Sequence, residues 1–168
     1  MNSMKEIRIE KITVNMGVGE PGDQLEKSQM VLDKITNHKS IQTMAKIKQP
    51  KWGLRPGLPI GVKTTLRGKK AVEFLTKALQ AKENELKIKN FDERGNIGFG
   101  IKEHIDIPGE KYDPVLGIKG FDVLITLERP GYRIKRRKIN KRKLGKTHII
   151  TRDEAIEFMK TKFSVDIK

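Results

Sequence analysis

The stretch FDVLITLE, Phe121 to Glu128, restricts the fold more than any other part of the chain. Phe121, Val123, Ile125 and Leu127 recur at every second position. Successive strand side chains point to opposite faces, so this row predicts a strand with one buried face. Residues 7–18, IRIEKITVNMGV, predict another. There Ile7 and Ile9 fall in one phase and Ile12, Val14 and Met16 in the other, which predicts a bulge or bend near Lys11. Ile41, Thr43, Ala45 and Ile47 predict a short strand, and Ile60, Val62, Thr64 and Leu66 a further one. These two pair as a hairpin with a long tip, Lys48 to Pro59. GFGIKEHIDI, Gly98 to Ile107, predicts a strand with Phe99, Ile101, Ile105 and Ile107 as its apolar side.

Helical spacing alternates with these strands. Residues 23–37 carry Leu25, Val31, Leu32 and Ile35 at helix intervals behind Asp23, a candidate N-cap. GKKAVEFLTKALQA puts Ala71, Phe74, Leu75, Ala78 and Leu79 on one face, and KENELKIKNFDERGN leads into a loop or short strand. Thr151 and Glu154 form a capping-box pattern at the start of a terminal helix, 151–163, whose apolar side is Ala155, Ile156, Met159 and Phe163. Half-buried strands interleaved with amphipathic helices predict a single α+β domain over 1–168, a sheet covered on one face by helices.

Charge is the second constraint. The chain holds 36 Lys and Arg against 21 Asp and Glu, a net +15. The excess sits in two acid-free tracts. Lys46, Lys48, Lys51, Arg55, Lys63, Arg67, Lys69 and Lys70 make up the first. The second holds Arg129, Arg133, Lys135, Arg136, Arg137, Lys138, Lys141, Arg142, Lys143 and Lys146, within a basic extension at 129–148. Outside these tracts the chain is slightly acidic. Crowded like charges repel, so such segregation points to a polyanionic partner, nucleic acid before an anionic membrane. Neither tract forms the long amphipathic helix that a membrane surface would need.

In the first tract, PKWGLRPGLPIG joins three prolines, three glycines and the only tryptophan. Prolines lower the entropy lost when a loop orders on contact. Lys51 and Arg55 suit phosphates, and Trp52 suits a base. The competing reading is a stiff surface loop with Trp52 folded back on the body. Lys63, Thr65 and Arg67 fall on the strand face opposite Val62, Thr64 and Leu66, leaving one face for the core and one for an RNA backbone. The second tract reads as an arm that orders against RNA, with a disordered, nonspecific basic arm as its competitor. The Tyr132 hydroxyl within it needs a polar neighbour or water.

Catalytic and cofactor patterns fail on inspection. There is no cysteine, and His38, His104 and His148 form no HExxH pair. GVKTTLRGK spaces its glycines wrongly for a phosphate-binding loop. RGNIGFGI misplaces the glycine and aromatic positions of an RNA-recognition octamer. EHIDIPGE gathers Glu103, His104, Asp106 and Glu110 with nothing to fix a metal or nucleophile, and reads as a solvated face with a surface histidine. The N-terminal MNSMKEIRIEK has no signal-peptide core, and no stretch approaches a membrane span. The expectation is a cytoplasmic protein with no enzyme activity, metal or cofactor.

Four segments, KITVNMGVGE (11–20), MAKIKQPKWGLRPGLPIGVKTTLRG (44–68), FDERGNIGFGIKEHI (91–105) and YDPVLGIKGFDVLITLERPGYRIKRRK (112–138), together resemble the L-five family of large-subunit ribosomal proteins, in its archaeal branch. The resemblance covers essentially the whole chain. It implies an antiparallel sheet, binding of 5S rRNA and large-subunit rRNA in the central protuberance, and a hairpin tip that reaches the P-site tRNA. By this similarity Asn15, Met16, Thr43, Lys46, Lys63 and Arg67 face 5S rRNA, and Lys48, Lys51, Trp52 and Arg55 belong to the tRNA-contacting tip. Lys69 and Lys70 join the rRNA surface. So do Arg133, Lys135, Arg136, Arg137, Lys138, Lys141, Arg142 and Lys143 of the extension, whose partner is large-subunit rRNA, 5S rRNA or a neighbouring ribosomal protein. The bacterial form ends soon after the strand at 121–127. A general RNA-binding or RNA-chaperone protein outside the ribosome is the alternative.

Overall fold

A computed structural model describes residues 2–168. Its strands are β1 (Arg8–Gly17), β2 (Ile41–Met44), β3 (Pro59–Leu66), β4 (Glu85–Leu86), β5 (Ile97–Ile101), β6 (Phe121–Glu128) and β7 (Asp166–Ile167); its α-helices are α1 (Asp23–Thr36), α2 (Gly68–Gln80) and α3 (Arg152–Phe163). Five strands form an antiparallel sheet in the order β2-β3-β1-β6-β5, and β4 pairs with β7 in parallel. The class is α+β. As the alternation requires, Phe121, Val123, Ile125 and Leu127 of β6 are all buried.

The chain gathers into two compact units. One comprises Thr13–Leu66 and Gly100–Val123. In it α1 packs on β3, burying Leu25, Val31, Leu32 and Ile35 as well as Val62, Thr64 and Leu66. Gly61 is required here by close approach: a Cβ on it would lie 2.8 Å from the Met16 carbonyl oxygen and 2.9 Å from Thr43 Oγ1. The other unit comprises Met1–Ile12, Arg67–Phe99 and Leu124–Lys168. It buries Ala71, Phe74, Leu75, Ala78 and Leu79 of α2 and Ala155 and Met159 of α3. Helix α3 begins with a complete capping box: Glu154 N–H donates to Thr151 Oγ1 and Thr151 N–H to Glu154 Oε2.

Three expectations need correction. Strand β2 stops at Met44, where a register shift after Thr43 breaks the pairing. It lies at the sheet edge, and both Ile41 on it and Ile47 beyond its end are exposed although their spacing suggests a core row. Strand β5 covers only Ile97–Ile101; a 3-10 turn at His104–Asp106 then brings Ile107 into the core without extended backbone. His104 is no surface residue. It is 3% exposed, its N–H donates to the Lys119 carbonyl at 2.9 Å, and its Nδ1 accepts from Lys119 N–H at 3.3 Å. The cluster EHIDIPGE thus fastens a loop, and among the described residues no group of His, Asp and Glu is arranged to hold a metal.

Candidate RNA interface

The hairpin tip is built rather than slack. Beyond Met44 the pairing resumes: Ala45 N–H donates to the Leu58 carbonyl at 2.8 Å, and Gln49 and Leu54 form a bridge. Between them Pro50–Trp52 makes a 3-10 turn, closed by Gly53 at φ 65°, a left-handed conformation that favours glycine. Pro50 suits the first position of that turn because its missing N–H is not needed there. Trp52 stays 73% exposed, so it does not fold back. Lys46, Lys48, Lys51 and Arg55 are exposed around it. The tip offers an indole and three cations, Lys48, Lys51 and Arg55, with Lys46 just before it, on a frame held by main-chain bonds.

On β3, Lys63 and Arg67 are exposed and Thr65 half-buried, while Val62, Thr64 and Leu66 are buried, as the alternation predicts. Thr43 and Asn15 are half-buried, and Lys69 and Lys70 exposed. Met16 lies elsewhere. It is 2% exposed, in the core row with Ile12 and Val14, so its side chain is closed to RNA.

The basic extension is a closed loop, and its neck carries the buried groups. The Arg129 guanidinium is 5% exposed; it donates to Glu154 Oε1 at 2.7 Å and to the Lys5 carbonyl at 3.1 Å. Tyr132 is buried too. Its hydroxyl donates to the His148 carbonyl at 3.1 Å and accepts from Ile150 N–H at 3.0 Å, and His148 Nε2 lies 2.8 Å from the Pro130 carbonyl oxygen. Burial raises the Tyr132 pKa, opposed by the Ile150 N–H. Within the loop, Arg142 N–H donates to the Ile134 carbonyl, and Arg137 Nε to the Asn140 carbonyl at 2.8 Å. Arg133, Lys135, Arg137, Lys138, Lys141, Arg142 and Lys143 are exposed. Beyond Arg129 at the neck, Arg136 is also tied to acids, Glu10 and Glu128. Arg129 and Tyr132 therefore shape the loop and do not present themselves to a ligand.

The neck titrates in a definite direction. Burial pushes the Glu154 carboxyl up, but bonds from Thr151 N–H and Arg129 outweigh it and hold its pKa below the ordinary value. A carboxylate depressed in the folded state stabilises above its unfolded pKa, and that stability is lost as pH falls through the folded pKa. Glu154→Gln is therefore expected to lower the melting temperature at neutral pH. The gap from the parent closes as the solution is acidified through the folded pKa of Glu154; a gap independent of pH would contradict the ion pair.

An α+β fold that carries its excess positive charge on a braced hairpin tip and a clamped loop defines the class of proteins suited to a polyanionic partner. Two family models divide the chain: one described as ribosomal protein L5 matches residues 2–55, and one described as the C-terminus of that ribosomal protein family matches residues 59–164. The large ribosomal subunit protein uL5 of Sulfurisphaera tokodaii is 50% identical over 168 residues, spanning 99% of this chain and 95% of that protein. Its namesake in Methanococcus maripaludis strain C6 is 48% identical over 167 residues, 98% and 92% of the two chains. That of Nanoarchaeum equitans is 48% identical over 165 residues, 98% and 97%. The chain belongs to the ribosomal protein L5 family.

Proposed function

We propose that this protein is a structural constituent of the large ribosomal subunit that acts as one domain in the cytoplasmic ribosome. It anchors 5S rRNA and neighbouring large-subunit rRNA in the central protuberance and touches P-site tRNA through its hairpin tip. The observation that carries the reading is family membership along nearly the whole chain, with both acid-free tracts held as exposed, main-chain-braced elements. The work is positioning. Phosphate contacts from Lys46, Lys63, Lys69, Lys70 and the loop cations hold the domain, and the shape of the braced elements sets its register. No bond is made or broken, and no cofactor takes part. Neighbouring ribosomal proteins are further partners.

The tip and the rRNA surface are separable. Lys51→Ala with Arg55→Ala should leave binding of isolated 5S rRNA within about twofold, because neither residue belongs to that surface. In subunits rebuilt with the variant, affinity for P-site tRNA should fall roughly tenfold, the scale of losing one or two charge-assisted contacts. Equal losses for 5S rRNA and tRNA would sink this division of labour.

A further inference from the structure

The outward side of β1 and its neighbours carries a row of alternating charge. Arg67 Nη1 lies 3.7 Å from Glu10 Oε1 and also donates to the Glu10 carbonyl at 3.3 Å. Arg136 bridges both acids: Nη1 donates to Glu10 Oε1, and Nη2 to Glu128 Oε2 at 2.8 Å. Arg8 Nε then donates to Glu128 Oε1 at 3.1 Å. The order along the row is Arg67, Glu10, Arg136, Glu128, Arg8. The two carboxylates are sunk, with side chains 6% and 13% exposed, while the three guanidiniums remain between 42% and 60% exposed.

This arrangement is poor design if its purpose is attraction alone. Two acids beneath three arginines cut the row from three positive charges to one. Exposed ion pairs add little stability, and sinking carboxylates costs solvation. What the acids supply is geometry. A guanidinium is a planar fork with five N–H donors, and a carboxylate that holds one edge fixes where the others point. Arg8 is gripped at Nε, which leaves its terminal nitrogens for a ligand. Arg67 is held at Nη1 by the Glu10 main-chain carbonyl, with the Glu10 carboxylate as a charge partner 3.7 Å away, which leaves Nε and Nη2.

We propose that Glu10 and Glu128 are positioning residues that set Arg67, Arg136 and Arg8 as a rigid three-guanidinium reader of the folded 5S rRNA backbone. The proposal rests on the function argued above, and Arg67, at one end of the row, already belongs to the proposed 5S-facing surface. Paired RNA is recognised by the shape of its backbone more than by its base edges. A fixed row favours one phosphate spacing, whereas loose arginines suit any RNA equally.

The test turns on a sign. Glu10→Gln with Glu128→Gln removes two negative charges. Simple attraction predicts tighter binding to every RNA. The positioning role predicts tighter binding to an unrelated structured RNA, together with about a tenfold loss in the preference for 5S rRNA over that competitor. Arg136→Lys keeps the charge but not the fork, and should lose preference to a similar degree. Thermal melting of each variant, with Glu128→Gln alone as the milder change, separates misfolding from lost selectivity. If the parent protein prefers 5S rRNA and folded variants keep that preference, the positioning role is overturned. If the parent shows no preference, the functional reading itself fails.

Discussion

Ile125→Asp should abolish folding. The Ile125 side chain is 1% exposed, in the buried row of β6. Losing its burial costs about 2–3 kcal/mol, and an unpaired carboxylate in its place adds several more. The sum rivals the whole stability of an ordinary domain, about 5–15 kcal/mol. Circular dichroism should show no cooperative thermal transition near neutral pH. The neighbouring Leu124→Asp is the control: Leu124 is exposed on the opposite side of the same strand, so this change should shift the melt only slightly. A normal melt for Ile125→Asp would refute the account of the core.

The second large effect concerns the clamped loop. Changing Arg133, Lys135, Arg137, Lys138, Lys141, Arg142 and Lys143 together to glutamine removes exposed cations, along with the Arg137 bond to Asn140 and the Lys135 contact over the Tyr132 ring. The neck bonds of Arg129 and Tyr132 and the Arg136 bridge remain, so the fold should survive with a melting temperature near that of the parent. RNA affinity should not. Each phosphate contact releases bound counterions, so the salt dependence should flatten by about five to six units of slope. Affinity for rRNA near physiological salt should fall about a thousandfold. An unchanged slope would mean that the loop faces a protein or solvent instead.

The readability of the sequence followed the range of the forces involved. The alternation in β6, the amphipathic faces of α1 and α2 and the Thr151–Glu154 box are local, and each was legible. So was the change of phase in β1. Arg8 and Glu10 pair with residues on the outer side of the sheet while Ile12, Val14 and Met16 are buried, so the strand shifts phase near Lys11. Edge position is a different matter: nothing in the spacing of Ile41 and Ile47 says that no strand or helix will cover them.

The basic extension shows the limit most clearly. Counted along the chain it has no acid. In the fold its acids come from elsewhere: Glu10 lies 126 positions from Arg136, and Glu154 lies 25 from Arg129. A count within the tract cannot separate Arg136, held by two carboxylates, from Arg137 beside it, bonded to a carbonyl. Tyr132 announced only that its hydroxyl needed a partner, and that partner proved to be the neck of the loop. The short pairing of β4 with β7 was missed at its C-terminal end. Val165 and Ile167 do alternate there, over too few residues to stand out.

The central claim is that this protein is a dedicated anchor for 5S rRNA, and its most direct test is competition. The purified protein is titrated with 5S rRNA in the presence of excess unrelated structured RNA across a range of salt. The account predicts a complex that survives the competitor, with a salt slope reporting the number of phosphates engaged. Binding that vanishes into the competitor at every salt concentration would contradict it, leaving a basic RNA-binding protein with no special claim on 5S rRNA.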